Sequence, residues 1–171
     1  RYSRSANTWT TLAPTTARAA AAAAGASLNW VGKTGDANWA LEADIKDGRY
    51  LYSVRGGAST VIDRYDIAGG TAGAGAWLAL AYPGATETFT TGSSADWSGR
   101  YIYIRKDATN RFFKFSVRGN YMEALATNLY ADGAAVLGRK IWVKDYDGTD
   151  TLKWLYSLRN TGTELHRLPL F

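Results

Sequence analysis

The stretch Gly99-Arg100-Tyr101-Ile102-Tyr103-Ile104-Arg105-Lys106-Asp107-Ala108-Thr109-Asn110-Arg111-Phe112-Phe113-Lys114-Phe115 decides the architecture. Two runs rich in aromatic and β-branched residues, the composition that suits a half-buried pleated surface, flank a short polar segment. Asp107 and Asn110 in that segment tolerate the left-handed backbone of a tight hairpin, so the runs read as neighbouring antiparallel strands. Strand alternation puts Phe113 and Phe115 on one face and Phe112 and Lys114 on the other, as expected of a strand covered on both sides.

The same phrase occurs twice more. Gly48-Arg49-Tyr50-Leu51-Tyr52 and Gly138-Arg139-Lys140-Ile141-Trp142 match Gly99-Arg100-Tyr101-Ile102-Tyr103, and each continues to a second cation, Arg55, Lys144 or Arg105. The starts lie 51 and 39 residues apart, which brackets the pitch of roughly 40–50 residues of propeller blades. A turn follows each phrase, carried by Gly56-Gly57, Lys106–Asn110 and Asp147-Gly148-Thr149-Asp150. Then come second strands at Val61–Tyr65, Phe112–Phe115 and Lys153–Tyr156, and third ones at Ala76–Leu80, Tyr121–Leu125 and Glu164–Leu168. With a short strand in front, each unit makes a four-stranded antiparallel blade.

Residues 1–14 repeat the back of this unit: Tyr2, six residues, Trp9, then Leu12. Phe115 to Met122 keeps the spacing, and Tyr65 to Trp77 stretches it by a glycine-rich insertion at 69–75 that reads as a lengthened hairpin tip. Met122 and Leu165 stand where the spacing asks for Trp. A diglycine closing a strand, a Tyr, and a Trp further on resemble the kelch repeat; Tyr2 with Trp9, and Gly56-Gly57 with Tyr65 and Trp77, carry the likeness. The expected fold is therefore all-β: a β-propeller-like array of about three and a half four-stranded blades, part of a larger propeller, in one domain over 1–171. Within it, 1–14 form a partial blade, 15–27 an Ala-rich linker, and 28–83, 84–127 and 130–171 the blades. The run Ala19–Ala24 favours helix by propensity, but so short a helix is marginal alone, and a linker or a small-residue strand is expected there. The repeat positions expected to pack blades are Tyr2, Trp9, Gly48, Arg49, Gly56, Gly57, Tyr65, Trp77, Gly99, Arg100, Phe115, Gly138, Arg139 and Tyr156.

The chain of 171 residues is enough for one well-buried domain, with eleven Tyr, seven Trp and five Phe to fill it. It has no Cys, so neither disulfides nor thiolate metal sites hold it together. No apolar stretch reaches the roughly 18–20 residues of a membrane-spanning helix, and no membrane partner is expected. The net charge of +5 resides in residues 99–171, with twelve basic against seven acidic side chains, while 1–98 balance at eight each. That bias favours acidic partners without a dense basic run that demands them.

Candidate chemistry is thin. His166 is the single histidine, and no general-base partner can be named for it. Asp145, Asp147 and Asp150 faintly resemble a calcium loop, but Trp154 and Leu155 occupy the region where a bidentate Glu belongs, and a hairpin turn selects the same residues. Asp36, Glu42, Asp44, Asp47 and Asp96 fall mainly in loops, with nothing to pair two of them for glycoside hydrolysis. Gly56-Gly57 and Gly69-Gly70 lack the Lys-Ser/Thr and helix of a phosphate loop. The recurring Arg49, Arg100 and Arg139 are read as bonding carbonyls or carboxylates between blades, in preference to a basic ring for an anion. Arg111–Phe115 reads as a buried strand in preference to a base-stacking surface, so nucleic acid is not the expected partner.

No metal, cofactor or catalytic constellation is expected, and the chain is read as a scaffold and not an enzyme. The phrases Arg64-Tyr65-Asp66-Ile67, Gly99–Phe113 and Asn160–Leu165 resemble structural proteins encoded by tailed bacteriophages. The resemblance implies a virion component of neck, tail or capsid surface, located in the virion and partnered by other virion proteins and copies of itself. A carbohydrate-binding propeller module, using surface Tyr and Trp to stack on glycans, is the alternative. A propeller enzyme ranks behind it, the lone His and missing Cys weighing against a copper site.

Overall fold

The computed structural model describes residues 2–11, 13–20, 23, 26–30, 49–71, 74–84, 87–90, 93–98, 101–106, 109, 111–125, 141–145, 153–158 and 165–170. Among them the chain is all-β, built from antiparallel sheets with almost no helix. β1 (Tyr2–Ser3) and β2 (Thr8–Trp9) form a hairpin. β3 (Ser27–Trp30), β4 (Tyr50–Val54), β5 (Ile62–Asp66) and β6 (Ala76–Leu80) form a four-stranded meander. β7 (Ser94–Ser98), β8 (Tyr101–Arg105), β9 (Phe112–Ser116) and β10 (Tyr121–Ala124) form another. β11 (Ile141–Asp145), β12 (Lys153–Leu158) and β13 (Leu165–Leu170) make a three-stranded sheet among the described residues. These are called sheets I to IV in chain order.

Register turns the sequence repeat into geometry. In sheet II, Trp30, Leu51, Tyr65 and Trp77 are successive cross-strand partners. In sheet III the same row reads Trp97, Ile102, Phe115 and Met122. Tyr2 lies opposite Trp9 in sheet I, so the Tyr–Trp spacing is a directly facing pair wherever it occurs. Sheet IV differs. Its equivalent row is Ile141, Ser157 and His166, while Tyr156 faces Arg167 and Leu165 faces Leu158. Leu165 therefore does not take the Trp position, and an aromatic row is replaced by a polar one for a reason that lies in the neighbouring sheet.

Sheets II and III pack face to face. Tyr50, Tyr52, Val54 and Ile62 of sheet II share a buried cluster with Ile102, Ile104, Phe113, Phe115 and Met122 of sheet III. Burying each such side chain contributes about 1.5–3 kcal/mol. The opposite face of sheet III, with Tyr103 and Phe112, packs against Leu155, Leu168 and Leu170 of sheet IV. Phe112 and Phe113 thus face different neighbours, as alternation requires. The backbones of β3 and β7, and of β7 and β11, also approach one another across successive sheets.

The link from sheet II to sheet III closes their junction. Phe89 is fully buried with its ring edge-on to Phe113, 5.9 Å between centroids. Its backbone exchanges hydrogen bonds with the β4–β5 turn, Ala58 N donating to Phe89 O at 2.9 Å and Phe89 N to Ser59 O at 3.1 Å. That turn is made by Gly56, Gly57 and Ala58 at φ of 72°, 62° and 60°, which is why the diglycine sits there. Gly84, at φ 106°, lies so near β10 that a Cβ would overlap the Met122 carbonyl. A parallel link recurs one sheet earlier, where Thr16 bridges Ala76. The described part of 15–26 contains no helix.

Candidate functional site

The faces between sheets are where the chain concentrates its chemistry. On the face of sheet II turned away from sheet III, Asp63 is only 1% exposed. Arg18 donates to it from Nε at 2.7 Å, and Arg55 donates from Nε at 3.0 Å and from a terminal nitrogen at 2.5 Å. The other end of Arg18 reaches Ser53 Oγ at 2.8 Å, and its guanidinium lies over the Trp77 ring at 5.2 Å. Burial opposes ionisation of Asp63, but the hydrogen bonds and charges of Arg55 and Arg18 outweigh it and hold the carboxyl below its usual range. Arg55 is shifted up by the same pairing, its hydrogen bond to Asp63 outweighing desolvation.

Arg105 makes the equivalent link at the next junction. It is 1% exposed, lies 6.0 Å over the Phe112 ring and donates to Ser157 Oγ of sheet IV at 2.7 Å. By register Arg105 occupies the place of Val54 in sheet II, and Ser157 the place of Phe115 in sheet III. The polar row of sheet IV is thus matched to a basic side chain from sheet III. An apolar junction between II and III becomes a hydrogen-bonded one between III and IV.

Two further ion clusters lie nearer the surface. Arg49 grips Asp66 in a two-pronged pair, both bonds 2.7 Å, and that hydrogen bonding is the main cause of the lowered Asp66 pKa. Two guanidiniums lie over the Tyr50 ring, Arg49 at 5.4 Å and Arg64 at 4.7 Å. Glu87 accepts from Lys106 Nζ at 2.6 Å and pairs with Arg111, so the II–III link is clamped to the β8–β9 hairpin. Those cations, Lys106 first, lower the Glu87 pKa. The Tyr82 hydroxyl donates to the Thr60 carbonyl, and burial raises its pKa.

The repeat positions fall as follows. Tyr65 and Trp77 face each other with rings 5.0 Å apart, and the Tyr65 hydroxyl donates to Ala74 O at 3.0 Å. Phe115 is fully buried in the II–III core, Tyr156 is half-buried on β12, and Trp9 is 81% exposed on β2. Tyr2 is placed opposite Trp9, Gly56 and Gly57 make the β4–β5 turn, and Arg49 bonds within its own sheet. Gly48, Gly99, Arg100, Gly138 and Arg139 lie outside the described residues, as do Asp36, Glu42, Asp44, Asp47, Asp147 and Asp150. By backbone register Asp96 lies opposite Tyr103 on the neighbouring strand, Asp145 opposite Lys153, and His166 opposite Ser157.

The sequence reading missed Arg18, Asp63 and Glu87, and noted Arg55 and Arg105 without a role. One signal was present: Asp63 stands next to Ile62 in the second strand of a repeat unit, Val61–Tyr65. Its partner Arg18 stands 45 positions away beside the Ala run, with no local pattern to mark it. Among the described residues no group of three or more His, Asp or Glu side chains is placed to hold a metal ion. No described helix is long and apolar enough to cross a membrane. No protein-family model matches the chain, and no curated protein matches it.

Proposed function

We propose that this chain is an assembly protein that works through sheet-to-sheet contacts, its sheets being blades of a kelch-like β-propeller array. On the sequence resemblance given above, its place is the virion of a tailed phage, in the neck, tail or capsid surface, among other virion proteins. The observation that carries the assembly role is the treatment of the sheet faces. The junctions between sheets are closed by apolar cores and a buried arginine link, while Trp9 of sheet I, Leu28 and Leu78 of sheet II and Leu165 of sheet IV stay 81%, 61%, 51% and 62% exposed. Contiguous apolar surface left open to water marks protein contact sites.

Two measurements test this reading. Mass spectrometry of density-banded virions from the source culture is expected to find peptides of this chain in fixed ratio to other structural proteins. Absence from the particles sinks the virion role. An exposed indole such as Trp9 is also what glycan stacking uses. A glycan array that gives saturable binding lost in Trp9→Ala establishes the carbohydrate-binding alternative in its place.

A further inference from the structure

Sheet IV covers only part of the face that sheet III turns to it. Tyr103 and Phe112 are buried there against Leu155. Towards the outer strand, β10, the same face opens to water, with Tyr121 37% and the Glu123 side chain 48% exposed. Register fixes which way these side chains point. Ser116 lies between Tyr101 on one side and Tyr121 on the other, and Lys114 lies between Tyr103 and Glu123. Alternation sets Tyr101, Lys114, Ser116, Tyr121 and Glu123 on the face of Phe112, while Met122 points into the core shared with sheet II.

The outer strip so formed has aromatic sides and a polar middle. Tyr101 and Tyr121 stand two strand spacings apart, about 10 Å, with the small Ser116 between them. Ser116 is buried and accepts from Gly119 N at 2.9 Å. The Tyr121 ring rests against Gly119, where a Cβ would come within 2.5 Å of a ring carbon. Asn120, at φ 51°, turns the chain and donates from its side chain to Ala81 O at 2.8 Å, tying the β9–β10 turn to the II–III link. The ring is thus placed by the turn against it, so its ordering is met in folding and not on binding. Lys114 supplies the polar complement. Its Nζ lies 5.1 Å over the Tyr101 ring and 3.2 Å from a Glu123 carboxylate oxygen. An ammonium donor and a carboxylate acceptor therefore stand side by side, with no net charge between them.

That composition selects its ligand. The strip carries no aliphatic side chain, and Lys and Glu are depleted at the centre of protein–protein contacts, so a protein partner fits it poorly. A nucleic acid or other polyanion meets a single cation that is already paired. A sugar ring fits, because it offers apolar C–H faces to a tyrosine and hydroxyls that accept from an ammonium and donate to a carboxylate. We propose that this strip of sheet III binds an uncharged carbohydrate, one pyranose ring stacking on Tyr121 with its hydroxyls bonded to Glu123 and Lys114. The site does not involve Trp9 and does not rest on the assembly role.

The test probes an array of uncharged and acidic oligosaccharides with the 171-residue chain, and titrates the glycans that bind by calorimetry. Tyr121→Ala, Tyr121→Phe, Glu123→Gln and Trp9→Ala are compared with wild type, all at exposed positions, with circular dichroism to show that the strands persist. Saturable binding of an uncharged glycan is expected, weakened about tenfold or more in Tyr121→Ala by loss of the stacked ring. Glu123→Gln is expected to weaken it as well, whereas Tyr121→Phe, which keeps the ring, and Trp9→Ala bind like wild type. An array on which no uncharged glycan binds overturns the site, and so does binding confined to acidic glycans and abolished by salt. Binding that survives Tyr121→Ala but is lost in Trp9→Ala overturns it too, and moves carbohydrate recognition to sheet I. Whether the chain belongs to virions is decided separately by mass spectrometry of the particles, so the two readings fail independently.

Discussion

Asp63 shows what single residues do in this fold. A carboxylate withdrawn from water costs several kcal/mol unless opposite charges surround it, and Arg18 and Arg55 do so. Asp63→Asn removes the negative charge from between two guanidiniums and sets an NH2 donor against them, and is expected to destabilise the fold by about 3–5 kcal/mol, read by urea unfolding. Asp63, Asp66 and Glu87 all titrate below their ordinary range in the folded protein. Each therefore stabilises the fold fully above its unfolded pKa of about 4, and that stability is lost as pH falls through the lower folded values. Urea midpoints measured at decreasing pH are expected to drop below about pH 4, with a shallower slope in Asp63→Asn. Asp63 was legible as a residue of a repeat strand, but its burial and the identity of its partners were not, because Arg18 has no local reason to be there.

Strands were the most readable elements, since alternation and turn chemistry are local. The second and third strands of each unit, and the diglycine turn between β4 and β5, fall where the sequence puts them. Register in sheet IV was not readable, because no aromatic pair marks it and its polar row answers to Arg105 in another sheet. At this scale the structure predicts a gradient of protection. β8 and β9, central in sheet III and buried on both faces, are expected to exchange amide hydrogens slowest, and the two-residue strands β1 and β2 fastest. Gly84→Val tests the link into sheet III. A β-branched residue at φ 106° with its Cβ against Met122 is expected to cost about 1–3 kcal/mol and to speed exchange in β10 first. Unchanged protection of β10 amides would show that the link does not support that strand.

At the scale of the molecule, the two inter-sheet junctions among the described residues differ in kind. Between sheets II and III the contact is aromatic and sealed by Phe89, whereas between III and IV a smaller apolar cluster is joined by Arg105 and Ser157. Phe89→Ala is expected to cost about 3–5 kcal/mol and to destabilise sheets II and III together. Ser157→Ala leaves a buried guanidinium short of an acceptor. It is expected to cost about 1–3 kcal/mol and to free sheet IV alone, seen as faster exchange in β12 and β13 with β4 and β5 unchanged. Equal loss of protection in all sheets after Ser157→Ala would mean that the array unfolds as one unit.

The sequence by itself determined the all-β class, the strands, the turn at Gly56-Gly57 and the opposite facing of Phe112 and Phe113. Those properties follow from residues within a few positions of one another, through pleat alternation and permitted backbone angles. Only the tertiary structure decided which charges are buried and what they touch. Arg18 meets Asp63, and Arg105 meets Ser157, across 45 and 52 positions of chain. Such pairs meet only where separate segments and sheets pack together, and each partner is selected by the desolvation cost of the other, a requirement that leaves no periodic trace along the chain.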